Sequence, residues 1–384
     1  MKGINQKKPR IFQIFLVPLI TIMLVQGAVT MGTLVIRRTA QTLEGYASGM
    51  MSRLVENRRV ILENEMNQRW STIRSQEPAF TELLAGRLAE ENLALEEFLG
   101  DEAQRDALLE QMFPKCLELL SGNSTTGMFL ILSGPEDWEA GELDGFFIRD
   151  SDPKSSPANY SDLLLERGSK QLSRTWGIPL DSSWTTHFYL DSQDSADQYF
   201  WAPWRAGRDY PEANTEDLGF WSPPFCLGKS GVDPYEMIAY SIPLRYEGQV
   251  YGVLGVEISC KDLYSYFPVA ELNESQQSGY MLAVRRDSGY APLAGKGMLY
   301  SLVCGQGEEF QLKPTAYSAL SQVRNVWMEG QGIYAVASPL QLYSNNVPYE
   351  DTQWVLVGLN TEEDLFGMGR QLYVWMIFAV FIGL

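Results

Sequence analysis

The sequence holds one histidine, His187, in 384 residues. A phosphorelay histidine, a His-rich metal centre and a Ser-His-Asp triad would each have to use it. Its setting, "SSWTTHFYLD", reads instead as a strand edge. Cysteine is scarce as well. Cys116, Cys226, Cys260 and Cys304 contain no Cys-x-x-Cys pair, which argues against a zinc ribbon. Outside a cell they could form disulfides in three full pairings or remain thiols, and spacing does not choose. No Gly-x-Ser-x-Gly nucleophile turn occurs. "GKS" (228–230) lacks the glycine that a phosphate loop needs five residues earlier, where Pro223 stands. "GYAPLAGKG" (289–297) has one residue too many and no Ser or Thr after Lys296. No catalytic residue, metal or cofactor is therefore expected.

Positive clusters are missing from the middle of the chain. All 48 acidic residues and 24 of the 30 basic ones lie in 39–370. Such a segment offers no Lys/Arg patch for phosphate, which excludes nucleic acid as a partner. What is present is apolar. Residues 11–36, "IFQIFLVPLITIMLVQGAVTMGTLVI", carry no charge over 26 positions, and a bilayer core needs about 20. The run continues beyond the small-residue site Val25-Gln26-Gly27, so it reads as an uncleaved anchor and not a signal peptide. Four bases in 1–10 put the N-terminus in the cytoplasm. The last 13 residues, "LYVWMIFAVFIGL", read as the front half of a second membrane helix. Residues 39–370 would then be extracytoplasmic, tethered to the cell membrane at both ends.

Within that region, 39–76 reads as one long helix, with Met51, Val55, Leu62, Met66 and Ile73 near a 3.6 spacing and Pro78 ending it. Shorter helices are expected over 79–99 and 102–120. Strands are expected at 127–132, 145–150, 186–190, 198–202, 236–244 and 250–258, with a helix over 159–176 capped by Ser161. "RYEG" (245–248) makes the last two strands a hairpin. Strands resume at 280–286, 334–340 and 354–359. "VLGVEISCKDL" (253–263) matches "VLVGLNTEEDL" (355–365) in length, and each places a hydroxyl, Ser259 or Thr361, three residues before Asp262 or Asp364. Both endings read strand, cap, helix, so one architecture is used twice.

A membrane helix, a rising helix, two sheet regions, "YSIPLRYEGQVYGVLGVEIS" (240–259) and "FWSPPF" (220–225) together resemble the double Cache family, the extracytoplasmic sensor modules of bacterial receptors. The resemblance implies an α+β chain built from a cytoplasmic tail (1–10), a membrane helix (11–36) and a stalk helix (38–77). These lead into a membrane-distal PAS-like antiparallel-sheet domain (78–264), a membrane-proximal one (265–366) and the start of a second membrane helix (371–384). It implies a homodimer that passes a small-molecule signal through the membrane to a cytoplasmic output, of diguanylate cyclase, histidine kinase or chemoreceptor type. Amino-acid-sensing members place an Arg two before a Trp and an Asp soon after the Pro-aromatic pair; here the first segment is Ala202-Pro203-Trp204-Arg205, and the Asp position falls near Leu227. The ligand expected on this ground is not an ordinary α-amino acid.

Five of ten tryptophans fall in 176–221. They suggest an aromatic-walled pocket formed by Trp201, Trp204, Tyr210 and Trp221. Arg205, Arg208, Asp209, Ser222 and Tyr240 would be its orienting polar groups, with Arg149 at a strand end facing the same cleft. Two other functions fit the sequence: a membrane-tethered hydrolase with two converging carboxylates, and an adhesion or assembly module.

Overall fold

The computed structural model describes residues 11–123, 125–133, 142–153, 159–227, 235–273, 277–305, 309–343, 348–349 and 352–383. The tail 1–10, the "GKS" stretch and most of the 345–350 loop lie outside these.

The apolar run and the start of the stalk form one helix, α1 (Ile11–Asn64). Its first half exposes Phe12, Phe15, Met23, Leu24, Met31 and Leu34, whereas Met51, Val55 and Leu62 are buried farther along. Among the described residues it is the helix long and apolar enough to cross a membrane, by length and composition. The expected continuous helix to residue 76 changes its winding. Glu65–Arg69 widens to a π-turn and Trp70–Ser75 tightens to 3-10, while Met66, Trp70 and Ile73 stay buried. Pro78 starts the next helix instead of ending this one: it sits in the first turn of α2 (Glu77–Glu91), where its missing N–H has no intrahelical partner to lose. The helix expected over 79–99 breaks at left-handed Asn92, and α3 (Leu95–Gly100) and α4 (Glu102–Asn123) follow.

The first sheet begins with β1 (Gly127–Leu132), β3 (Gly145–Asp150) and β4 (Leu163–Arg167), while β2 (Glu142–Leu143) pairs apart from it with β6 (Phe188–Tyr189) in a two-stranded ribbon. After α5 (Lys170–Trp176) come β5 (Leu180–Thr185), β6 (Phe188–Tyr189) and α6 (Gln198–Asp209). Strands β7 (Phe220–Trp221), β8 (Met237–Tyr246) and β9 (Gln249–Ser259) complete it, and α7 (Cys260–Leu263) leads out. The expected helix over 159–176 thus holds a strand, β4, and its first cap is Asn159, not Ser161. The expected strand over 198–202 is the start of α6. The second sheet comprises β10 (Gly279–Arg286), β11 (Gly289–Gly297), β12 (Leu312–Pro314), β13 (Ser321–Met328), β14 (Gln331–Pro339) and β15 (Trp354–Thr361). Helix α8 (Met298–Cys304) packs on it, and α9 (Glu362–Gly383) leaves from its last strand.

The strand orders are β5-β4-β3-β1-β9-β8-β7 and β11-β10-β15-β14-β13-β12. Both contain the same five-strand, PAS-like core, in which the first strand lies between the second and the last: β3-β1-β9-β8-β7 and β11-β10-β15-β14-β13. Both last strands end on the expected cap. Ser259 Oγ accepts from Asp262 N at 3.0 Å, and Thr361 Oγ1 from Asp364 N at 3.2 Å. The stalk runs past both sheets. Glu56 bonds Ser338 of β14, and farther from the apolar end Trp70 meets Trp221 of β7 edge-on, with ring centroids 6.3 Å apart. Each sheet is covered on both faces, which explains near-continuous apolar strands such as "GMFLIL".

Candidate functional site

Cross-strand register sets the chemistry of the first sheet. Gly127 of β1 pairs with Arg149 of β3 on one side and Glu257 of β9 on the other, so the three positions share one face. The middle one has no side chain. A Cβ there would stand 2.1 Å from Glu257 Oε2, so the glycine makes room for the carboxyl. Glu257 is completely buried. Its Oε1 accepts from Tyr235 Oη and Thr126 Oγ1, each at 2.8 Å. Its Oε2 has no hydrogen-bond partner. Burial pushes this carboxyl up to about 8, against the opposing pull of the two hydroxyl donors.

Arg149 stands beside it with its charge already met. Nη1 pairs with Glu166 Oε1 at 2.8 Å and Nη2 with Asp181 Oδ2 at 3.0 Å, and the guanidinium lies 4.4 Å from the Tyr235 ring centroid. Burial raises Glu166 despite Arg149. Burial also pushes Asp181 up, but hydrogen bonds from Ser183 and the charge of Arg149 outweigh it and the net shift is down. Arg167 acts as a strap, donating to the carbonyls of Glu166, Ser183 and Leu227 and so tying the 225–227 segment to β4 and β5. On the same face Tyr199 stacks on Phe225 at 4.3 Å, and its buried hydroxyl has no partner.

This node lies behind one wall of a cleft of about 880 Å³, within the range of small-molecule sites. Thr126, Arg149, Asp150 and Tyr235 line one side; Arg69 and Trp70 of the stalk and Lys261 and Tyr266 after β9 line the other. Burial raises Asp150 to about 6; the backbone N–H of Asp152 pulls the other way, and the charges of Asp162, Asp152 and Asp262 add to the rise.

Of the residues singled out in the sequence, Arg149 is in this node and the others are elsewhere. Trp201 is buried under α6, edge-on to Trp204 at 5.5 Å, and Arg208 covers Trp204 at 4.9 Å. Arg205 donates to the Ser192 carbonyl. Arg208 pairs with Asp209 at the exposed end of α6, beside exposed Tyr210. Trp221 and Tyr240 pack on the opposite face of the sheet, against the stalk. Ser222 Oγ accepts from Ala239 N. The sheet separates these side chains because β7 and β8 alternate their side chains between its two faces. Sequence reasoning missed Thr126, Glu166, Arg167, Asp181, Tyr235 and Glu257. A signal existed for one: Glu257 is an acid inside the buried run "VLGVEIS". His187 binds Asp144 through Nδ1 at 2.8 Å, and Asp144 also pairs with Arg105. The four cysteines are unpaired thiols.

No family model matches the chain, and no curated protein matches it in sequence. Among solved structures it is similar to the sensory domain of the Campylobacter jejuni chemoreceptor Tlp3, at 12% identity and TM-score 0.39, covering 86% of this chain and 99% of that one. The ligand-binding domain of the same receptor with L-valine matches at 12% and 0.38, covering 85% and 97%. The ligand-binding domain of the Pseudomonas fluorescens chemoreceptor CtaA with L-alanine matches at 15% and 0.32, covering 79% and 99%. The last two of these carry ordinary α-amino acids, L-valine and L-alanine, which contradicts the expectation set against such a ligand. That expectation rested on two positions, an arginine missing two before Trp204 and an aspartate missing near Leu227, whereas the charged groups of this sheet include Arg149, Glu166, Asp181 and Glu257. These three solved structures are chemoreceptor sensory or ligand-binding domains, the class to which the sequence resemblance pointed.

Proposed function

We propose that the chain is the extracytoplasmic sensing region of a membrane-bound receptor, with its N-terminus in the cytoplasm. The first module (78–264) binds a small molecule bearing a protonated amine, and the second (265–366) relays the change to α9. The observation that carries this is Glu257, a fully buried carboxyl with one oxygen unpartnered. Buried polar atoms are almost always satisfied, and the exceptions concentrate at functional sites. Arg149 does not fill the vacancy, because Glu166 and Asp181 hold it. An ammonium group supplies both the missing hydrogen bond and the missing charge, and the Tyr235 ring offers it a cation–π face.

A thermal-shift panel on the full chain in detergent tests this, using the common L-amino acids, simple alkylamines and the matching carboxylates without amines. Amines at a hundredfold excess over Kd should stabilise by about 2.7 kcal/mol. Glu257→Gln should remove that shift and keep the fold. Stabilisation by the amine-free carboxylates alone would sink the reading.

A further inference from the structure

We infer that the ligand's ammonium replaces a proton on Glu257, so that each binding event expels one proton and affinity climbs with pH. The inference rests on the amine reading above. Its basis is the inventory of groups around the carboxyl. From the residue just ahead of β1 comes the Thr126 hydroxyl, and from β1 itself the bare Gly127. Arg149 comes from β3, neutralised by Glu166 of β4 and Asp181 of β5. Tyr235, ahead of β8, gives its hydroxyl to Oε1, and Ala239 pairs across from Glu257 on β8. Among the described residues no cation is left over for an ionised Glu257, and an uncompensated buried charge costs several kcal/mol. The empty site therefore keeps the proton, consistent with a carboxyl raised to about 8. An ammonium at Oε2 reverses the preference, because an opposite charge at contact favours the ionised form. The balance is one carboxylic acid and one ammonium going to one carboxylate–ammonium pair and one proton released to solvent. Asp150, raised to about 6 on the cleft wall, is the other carboxyl that could contribute.

Calorimetric titration of the full chain in detergent with glycine, L-alanine and L-valine, in phosphate and in Tris at pH 7, counts the proton. About 0.9 should leave per ligand, the protonated fraction of a carboxyl near 8. Affinity should rise about tenfold per pH unit from pH 6 to near 8 and then level off. Glu257→Gln should abolish both the release and the slope, and Asp150→Asn should leave both in place. Binding without proton release, or release that survives Glu257→Gln, overturns the inference and leaves the amine reading standing. No binding heat from any of the three probes overturns both.

Discussion

At the scale of single residues, the first sheet concentrates three buried or nearly buried carboxyls, Glu166, Asp181 and Glu257, around one guanidinium. Arg149 serves as the counter-ion for the first two, and this role is separable from ligand binding. Arg149→Met keeps the bulk of the side chain and removes the charge. It strands Glu166, 4% exposed, without a partner. Breaking a buried pair in this way costs about 3–5 kcal/mol. Denaturant unfolding of the full chain in detergent should show that loss. Adding Glu166→Gln and Asp181→Asn to Arg149→Met should recover more than half of it, because no buried charge is then left unpaired. A triple variant as unstable as the single one would mean that packing, not charge, is what Arg149 contributes.

At the scale of elements, regular spacing and local capping were legible and cross-strand adjacency was not. Met51, Val55, Leu62, Met66 and Ile73 recur at helical intervals and all are buried. "RYEG" is a tight hairpin with positive φ at Glu247 and Gly248. The run "QYFWA" misled because aromatics favour strands. The longer stretch Gln198–Asp209 buries Tyr199, Phe200, Trp201, Pro203, Ala206 and Gly207, a helical interval that five residues are too few to show. The charged node draws on β1, β3, β4, β5 and β9, positions up to 131 residues apart in Thr126 and Glu257. Only strand order brings them together, and spacing along the chain carries no record of it. The repeated cap gives an element-scale test. Ser259→Ala and Thr361→Ala each remove an N-cap oxygen and should each cost about 1 kcal/mol. The two caps sit on different sheets, so the double variant should lose the sum to within about 0.5 kcal/mol. A clear excess over the sum, measured by denaturant unfolding, would show that the two sheets are coupled through their exits.

At the scale of the molecule, the stalk is the element both sheets share, and Trp70 sits where its winding changes from π to 3-10. Its ring meets Tyr266 at 5.4 Å and Trp221 at 6.3 Å. Trp221 in turn lies 6.4 Å from Trp354 on β15, and its backbone N–H donates to the hydroxyl of Tyr343. Strand β15 runs directly into α9. A contiguous set of aromatics thus joins the stalk, the first sheet and the strand leading to the second apolar helix, and Trp70 also lines the cleft beside Arg149. Packed rings of this kind move together or not at all, since interiors shift between discrete packings and do not deform smoothly. Trp70→Ala opens a cavity at the centre of the set and should cost about 3–5 kcal/mol. It should also divide a single calorimetric transition of the full chain into two, because the sheets would lose the wedge that makes them unfold as one. Amine probes should then raise only the transition that contains the first sheet, as a separate protection of β1 and β9 amides in hydrogen exchange would verify. If the variant still melts in one transition, with the probe raising all of it, the route between the sheets runs elsewhere, through Arg58 and its bidentate pair with Glu271 in the linker.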